Sequence, residues 1–288
     1  MLNGLNGAAA VGPAKPWSDD GSGVLRALRA LRPAVEAAPP GLGGAEPGHP
    51  GSGRPGPGAP RVTLGLAGAA EPGLRPAGPA EDRLWAALPR ARAAEFLAGR
   101  AAARRALNRA GWPGGDTIEL PRAADGVRPR LPDGAVGSIS HSGGVAVALA
   151  APAEHCAALG VDLERRPMPP AAGRLVLRGE ELRCLTSEHG DGTDPASEPR
   201  LRELFSAKES AFKALYGLIP PPLRPTTLLG IAIRPVPGGF HAWAHRAPEP
   251  VLHVHTRWAE DAVLTWTAVP REHGPDQAGT AGVQRQAS

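Results

Sequence analysis

Apolar residues recur every three or four positions over residues 201–216, which is the spacing of one helix face and predicts a helix. Gly217 and the prolines that follow it end this helix. The same spacing predicts one helix or two over residues 79–111 and another helix over 174–187. The helix at 201–216 carries its apolar stripe at Leu201, Leu204, Phe205, Ala211, Phe212 and Leu215.

Alternating apolar and polar residues predict the strands. The strands cover residues 61–69, 136–151 (a hairpin that turns at Gly143 and Gly144), 157–164, 229–234, 239–245 and 251–269. Along the chain, a strand, a helical region and two strands are followed by a strand, a helical region and two or three strands. The predicted fold class is therefore α+β, with one pattern used twice.

The two ends of the chain have a different composition. Gly and Pro make up 23 of the first 60 residues, and such a segment has too few large apolar groups to offset the entropy lost on ordering. We therefore predict a disordered Gly/Pro-rich extension over residues 1–60, with one short helix at 24–37. A disordered tail is predicted over 271–288, and the two α+β units at 61–158 and 159–270.

Composition and charge narrow the class of protein. Only two cysteines occur, so a disulfide framework is excluded, and no apolar stretch approaches the roughly 18 residues of a membrane span. The chain does not begin with a basic and then apolar region, so we expect no secretory signal and a cytoplasmic protein. The net charge is +4, with 29 Arg but only three Lys. A GC-rich coding sequence explains that excess, so it is a weak argument for a nucleic-acid partner.

Asp162 and Glu164 are two positions apart in the predicted strand at 157–164, so both side chains point to the same face. Two adjacent carboxylates repel each other unless a cation lies between them. Mg²⁺ binds through one or two carboxylates and keeps its other positions for water and phosphate oxygens. The pair therefore predicts a metal site. The alternative is a solvated strand end that Arg165 and Arg166 neutralise.

The helix at 201–216 contains Lys208, Glu209 and Lys213. Glu209 and Lys213 share a helix face because they are four residues apart, which an ordinary ion pair also explains. However, two of the three lysines of an Arg-rich chain lie here, and Lys208 flanks the apolar stripe. Lysine is a common phosphate ligand, so this segment is a candidate phosphate site.

Ser140 and His141 lie in the first strand of the predicted hairpin, just before its two glycines. Neighbouring strand residues face opposite ways, so these two side chains cannot form a nucleophile and base pair. A hydroxyl, an imidazole and a Gly-rich backbone are better suited to holding a phosphate. The alternative for His141 is a structural histidine.

Three segments together resemble the motifs of the 4′-phosphopantetheinyl transferases. They are Ser-Ile-Ser-His-Ser at 138–142, Gly-Val-Asp-Leu-Glu at 160–164 and Phe-Ser-Ala-Lys-Glu-Ser-Ala-Phe-Lys at 205–213. The resemblance is to the surfactin-type class, and more closely to its enterobactin synthetase component D-like branch. That branch has an Arg-x-x-Glu-Phe-x-x-Gly-Arg helix, which here runs from Arg92 to Arg100. One departure is Phe205, where many relatives have Trp.

The resemblance implies a fold, an activity and partners. The family has two similar lobes related by a pseudo-twofold axis, with coenzyme A in the cleft between them. It moves the 4′-phosphopantetheine arm of coenzyme A to a serine of an apo acyl or peptidyl carrier protein, with Mg²⁺, and releases adenosine 3′,5′-bisphosphate. The implied partners are coenzyme A and acidic carrier proteins of fatty acid, polyketide, siderophore or other nonribosomal peptide synthesis. We expect a monomer that binds neither membrane nor nucleic acid.

The resemblance also implies site residues by position. Asp162, Glu164 and Glu209 correspond to the Mg²⁺ ligands, and Glu209 and Lys213 to the catalytic residues. The residues implied for coenzyme A are Arg92, Arg100, Gly126, Ser140, His141, Lys208, Lys213 and Leu223. The sequence leaves open whether Glu209 or a metal-bound water is the base. It also leaves open which of Arg122 and Arg128 contacts the nucleotide.

Two other classes of function compete with the transferase. A nucleic-acid-binding protein that uses the Arg-rich helix at 90–109 would leave the three carboxylates without a role, because they repel phosphate. An inactive homologue would bind coenzyme A without transferring its arm. The resemblance covers no part of residues 1–60, so a chain shortened to begin near Gly58 is expected to fold and stay active.

Overall fold

The computed structural model describes residues 21–37, 62–126, 128–189 and 197–271, and the structure discussed below is that of these residues. The rest of the predicted extension at 1–60 and the predicted tail beyond Arg271 lie outside them. The helices are α1 (Ser22–Ala37), α2 (Pro79–Ala86), α3 (Arg90–Arg109), α4 (Gly173–Val176), α5 (Gly179–His189) and α6 (Glu198–Leu218). The strands are β1 (Thr63–Gly68), β2 (Ala135–Ser142), β3 (Val145–Pro152), β4 (Cys156–Glu164), β5 (Ile231–Val236), β6 (Gly239–Ala244), β7 (Ala247–Ala259) and β8 (Ala262–Pro270).

Two antiparallel sheets, each covered by one long helix, form two lobes. The sheet of the N-terminal lobe has the order β1-β3-β2 and packs against α3. The sheet of the C-terminal lobe has the order β4-β8-β7-β6-β5 and packs against α6. In both lobes the first strand pairs with the last one. The structure thus confirms the α+β class and the pattern that is used twice.

A glycine in the first strand of each lobe lets the long helix approach the sheet closely. A Cβ atom on Gly65 would lie 2.0 Å from the carbonyl oxygen of Ala102 in α3. A Cβ atom on Gly160 would lie 1.9 Å from the carbonyl oxygen of Ser210 in α6. Neither strand can carry a side chain there unless the helix moves. In the C-terminal lobe, this contact fixes α6 against the strand that carries Asp162.

The structure corrects the strand count of the C-terminal lobe. The region 251–269, predicted as one strand, belongs to the hairpin of β7 and β8. The hairpin turns at Glu260, which has φ 56°, and Asp261. Four strands therefore follow α6, where two or three were predicted. The predicted lobe boundary between residues 158 and 159 was also wrong, because it lies inside β4. The lobes divide between Pro152 and Cys156.

The predicted helical regions are confirmed, but two of them are divided. Residues 79–111 form α2 and α3, because Pro89 does not continue a helix and disfavours a helical residue before it. Residues 174–187 fall into α4 and α5. None of the helices in the described parts of the chain combines the length and hydrophobicity that crossing a membrane requires.

Helix α1 is the short helix predicted at 24–37, and its packing in the folded core argues against the expectation that a chain without it folds and stays active. Val24 and Leu28 are completely buried, in a cluster with residues of β1, β3, β4 and β8. Glu36 fastens the other end of the helix, because its carboxylate accepts hydrogen bonds from the backbone NH of Leu64 and from Arg109. The helix thus contacts both lobes, and a chain that begins near Gly58 would lack it.

Candidate active site

Serine hydroxyls join the two lobes along β2 and β4. Ser138 accepts a hydrogen bond from the backbone NH of Val161 at 3.1 Å. Ser140 donates to Asp162 at 2.7 Å, and Ser142 donates to Glu164. The three serines are two positions apart, so strand alternation puts them all on the face that meets the other lobe. The seam between the lobes therefore orients both carboxylates of β4.

Asp162 is the most heavily bonded residue of the site. Asp162 is only 5% exposed. Its carboxylate accepts hydrogen bonds from Ser140, from Ser206 of α6 at 2.8 Å and from Lys213 of α6 at 2.8 Å. Lys213 also donates to the carbonyl oxygen of Val161 at 2.9 Å. Asp162 thus has a fixed orientation, and the ammonium of Lys213 lies directly against it.

Glu209 lies near the carboxylates of Asp162 and Glu164. Burial is the main cause that raises the pKa of Glu209 to about 7, and both of those carboxylates raise it further while Lys213 lowers it. Burial also raises the pKa of Glu164. Glu209 therefore lies within electrostatic range of Asp162, Glu164 and Lys213, and we call these four residues the carboxylate–lysine group.

The donors of this group fit a hard divalent cation. Three carboxylates within electrostatic range of one another favour protonation of one of them, and a bound cation would relieve the same repulsion. In the described residues, no three His, Cys, Asp or Glu side chains converge as a ready-made metal cage. Mg²⁺ does not need such a cage, because it usually takes one or two carboxylates together with water and substrate phosphates.

Lys208 does not join the group, contrary to expectation. Its side chain is completely buried, and its ammonium donates to Glu181 at 2.6 Å and to the carbonyl oxygen of Val176 at 2.8 Å. Burial lowers the pKa of Lys208, while Glu181 raises it. A buried ammonium needs such a partner. Lys208 therefore ties α6 to α4 and α5, and cannot contact a phosphate in this position.

Ser140 and His141 point to opposite sides of β2, as strand alternation requires. Ser140 contacts the carboxylate of Asp162, so it belongs with the carboxylates rather than with His141. The Nδ1 atom of His141 lies 3.4 Å from the carboxylate of Glu95 in α3. Burial is the main cause that lowers the pKa of His141, and Glu95 raises it. The expected clasp of both side chains on one phosphate is not seen.

The two predicted arginines of α3 differ in position. Arg92 lies at the surface, 3.8 Å from the carboxylate of Glu95. Arg100 is buried, with its guanidinium over the ring of Phe96, and its Nε donates to the carbonyl oxygen of Leu120 at 2.7 Å. Burial lowers the pKa of Arg100 to about 10. Of these two arginines, only Arg92 therefore lies beside His141 with its charge open to an incoming anion.

The loop before β2 reaches the C-terminal lobe. It turns at Gly126, which has φ 67° and has open space where a side chain would be. Arg128 lies over the ring of Tyr216 in α6, 5.4 Å from its centroid, and Arg224 contacts the same ring at 4.7 Å. Next to Arg224, Leu223 is one of the exposed large apolar residues. Of the two arginines left open, Arg128 is thus the one that contacts α6.

Three residues near the site were not predicted as functional. Ser206 holds Asp162, and Glu95 contacts His141 and Arg166. A signal for Ser206 was available, because it precedes Glu209 by three positions and so shares its helix face. For Glu95 and Arg166 no spacing rule applies, because their contact joins residues 71 positions apart.

The fold and this site define an enzyme class in which an acidic, lysine-bearing seam joins two α+β lobes. Comparison with known proteins identifies the family. Residues 80–151 match the model of the 4′-phosphopantetheinyl transferase N-terminal domain, and residues 158–236 match that of the 4′-phosphopantetheinyl transferase superfamily. The 4′-phosphopantetheinyl transferase Svp of Streptomyces mobaraensis is 34% identical over 207 residues, which are 67% of this chain and 79% of Svp.

A solved structure is also similar. The crystal structure of Thermotoga maritima holo-(acyl-carrier-protein) synthase matches with 17% identity and a TM-score of 0.31, over 40% of this chain and 63% of that chain. The family models and Svp are sufficient for the assignment. The chain belongs to the 4′-phosphopantetheinyl transferase superfamily, and it is a transferase.

Proposed function

We propose that this enzyme transfers the 4′-phosphopantetheine arm of coenzyme A to a serine of an apo acyl or peptidyl carrier protein. The product is adenosine 3′,5′-bisphosphate, and the reaction depends on Mg²⁺. We also propose the surfactin-type class and its enterobactin synthetase component D-like branch, which the motif from Arg92 to Arg100 supports. A monomer, a cytoplasmic location and acidic carrier partners complete the proposal.

The carboxylate–lysine group carries this proposal. Asp162, Glu164 and Glu209 would hold Mg²⁺, which when bound would neutralise charge on the pyrophosphate of coenzyme A. Lys213 already lies against Asp162, so its ammonium would face the same pyrophosphate. Preorganised positive charge at the position where negative charge develops is usually the largest part of catalysis.

The proposed transfer is a substitution at phosphorus. The serine oxygen of the carrier attacks the β-phosphorus, and the bond from that phosphorus to the bridging oxygen breaks. The electron pair leaves with adenosine 3′,5′-bisphosphate. Lys213 neutralises the new negative charge or protonates the oxygen that carries it. The serine proton passes to a base, for which Glu209 is our candidate because no hydrogen bond within the described residues occupies its carboxylate.

Intact-mass measurement of an apo acyl carrier protein, incubated with the enzyme, coenzyme A and Mg²⁺, tests the proposal. We expect a gain of one phosphopantetheine group that a chelator prevents. An apo peptidyl carrier is the second substrate. Binding of coenzyme A without transfer to either carrier would indicate an inactive homologue. No binding, together with salt-sensitive binding to DNA, would indicate a nucleic-acid-binding protein.

A further inference from the structure

The carboxylate of Glu95 in α3 lies close to basic side chains from three parts of the chain. It lies 3.1 Å from the guanidinium of Arg166, which follows β4, and 3.4 Å from the Nδ1 of His141 in β2. Arg92, one turn earlier in α3, approaches it at 3.8 Å. We call these four residues the Glu95 cluster. Arg166 belongs to the C-terminal lobe and the other three to the N-terminal lobe, so the cluster crosses the seam.

The exposure of these side chains shows which charges an incoming ligand would meet. The side chain of Glu95 is 12% exposed, whereas those of Arg92, His141 and Arg166 are 36%, 32% and 53% exposed. The carboxylate therefore lies beneath a rim of basic groups. The two guanidiniums alone exceed the charge of one carboxylate, so the rim remains attractive to a phosphate.

The Glu95 cluster adjoins the carboxylate–lysine group. His141 directly follows Ser140, whose hydroxyl donates to Asp162, and the backbone NH of Arg166 donates to the carboxylate of Glu164 at 2.8 Å. A ligand with phosphates at two places could therefore contact both groups at once. Coenzyme A is such a ligand, because it carries a pyrophosphate and a separate 3′-phosphate.

We propose that Glu95 is a positioning residue, which holds His141 and Arg166 where they bind the 3′-phosphate of coenzyme A. Glu95 itself does not touch the substrate. It fixes the imidazole from one lobe and the guanidinium from the other, so that less conformational entropy is lost when the phosphate binds. This inference rests on the proposed function, and it adds Arg166 to the residues that recognise the substrate.

Steady-state transfer with coenzyme A and with dephospho-coenzyme A, which lacks the 3′-phosphate, tests the proposal. For Glu95→Ala we expect KM for coenzyme A to rise at least about tenfold. The reason is that Arg166, no longer held in place, would lose roughly one charge-assisted hydrogen bond to the phosphate. The KM for dephospho-coenzyme A should stay unchanged, so the preference for the 3′-phosphate should shrink. Glu95→Gln should retain most of that preference, because its amide oxygen still accepts from Arg166.

Two further variants keep the test decisive. Arg166→Ala should reduce the same preference, and adding Glu95→Ala to it should have little further effect, because both changes act through one contact. Glu71→Ala is the matched control, because Glu71 also pairs with an arginine of α3, Arg105, but outside the cluster. It should leave the preference unchanged.

The outcomes separate this proposal from the proposed function. A normal preference in Arg166→Ala and in whichever Glu95 variants fold would overturn the positioning role. So would an equal loss of kcat with both substrates, which a merely structural ion pair would cause. If the unchanged enzyme neither binds coenzyme A nor transfers its arm, the proposed function fails, and the positioning role fails with it.

Discussion

Lys208 and Lys213 lie in one helix but have opposite surroundings. Lys208 is buried and donates a hydrogen bond to Glu181, whereas Lys213 lies in the site and donates to Asp162. Removing one partner of a buried ion pair leaves an unpaired charge, whereas removing Lys213 leaves Asp162 with the hydroxyls of Ser140 and Ser206. The two lysines should therefore separate stability from catalysis.

We expect Lys208→Met to lower the free energy of unfolding by about 3–5 kcal/mol. The folded fraction should retain kcat, because no substrate reaches that side chain. Lys213→Met should lower kcat/KM by about a hundredfold or more, and it should cost less stability than Lys208→Met, because Lys213 is partly exposed and Asp162 keeps its hydroxyl partners. Urea unfolding and transfer kinetics, measured on both variants, check this. A stable Lys208→Met protein that has lost transfer would show that Lys208 acts on the substrate.

Sequence spacing predicted those parts of the candidate site whose arrangement depends on local geometry. Strand alternation placed Asp162 with Glu164, and helical spacing placed Glu209 with Lys213, because both rules act over a few residues. Lys208 was assigned wrongly because its partner, Glu181, is in another helix and only tertiary packing brings the two together. Contacts of that kind leave no periodic pattern in the sequence.

Helix α1 is the element whose importance the sequence least suggested. Its apolar residues lie within a Gly/Pro-rich segment, yet Leu28 is completely buried in the cluster that spans β1, β3, β4 and β8. We expect Leu28→Ala to lower the free energy of unfolding by about 2–5 kcal/mol. Denaturant unfolding measures this, with the exposed Arg26→Ala as control. Equal stability of both variants, or a soluble and active chain that begins at Gly58, would contradict the structural role of α1.

The close contact of β4 with α6 sets the geometry of the site at the level of elements. An alanine at Gly160 would put its Cβ 1.9 Å from the carbonyl oxygen of Ser210, so α6 must shift away from Asp162. We expect Gly160→Ala to lose both stability and kcat, because α6 carries Glu209 and Lys213. Thermal unfolding and transfer rates check this against Gly179→Ala, where the added Cβ would meet only a distant arginine end. A fully active Gly160→Ala enzyme would show that the separation of strand and helix is not critical.

The errors in the predicted strands also have physical causes. The apolar alternation of β7 continues almost directly into β8, so only the short turn at Glu260 and Asp261 marks the hairpin. The pairing of the first strand of each lobe with its last strand joins residues that are far apart in the chain. Local patterns therefore predicted the elements and their order, while the strand order depends on tertiary packing.

The whole molecule is two lobes whose contact is largely polar at the active site. Along β2 and β4, serine hydroxyls replace the backbone ladder that joins strands within each sheet. The proposed coenzyme A site takes His141 from one lobe and Lys213 from the other. A ligand bound across the seam would therefore stabilise both lobes together.

We expect coenzyme A with Mg²⁺ to raise the temperature of a single unfolding transition. At a concentration 100 times the dissociation constant, binding adds about 2.7 kcal/mol, which corresponds to roughly 5–10 °C for a fold of this size. Calorimetry measures the shift, and pantetheine, which lacks all the phosphates, serves as the control and should cause none. Two resolved transitions of which only one moves would mean that the ligand binds to one lobe alone, because a site across the seam must stabilise both partners.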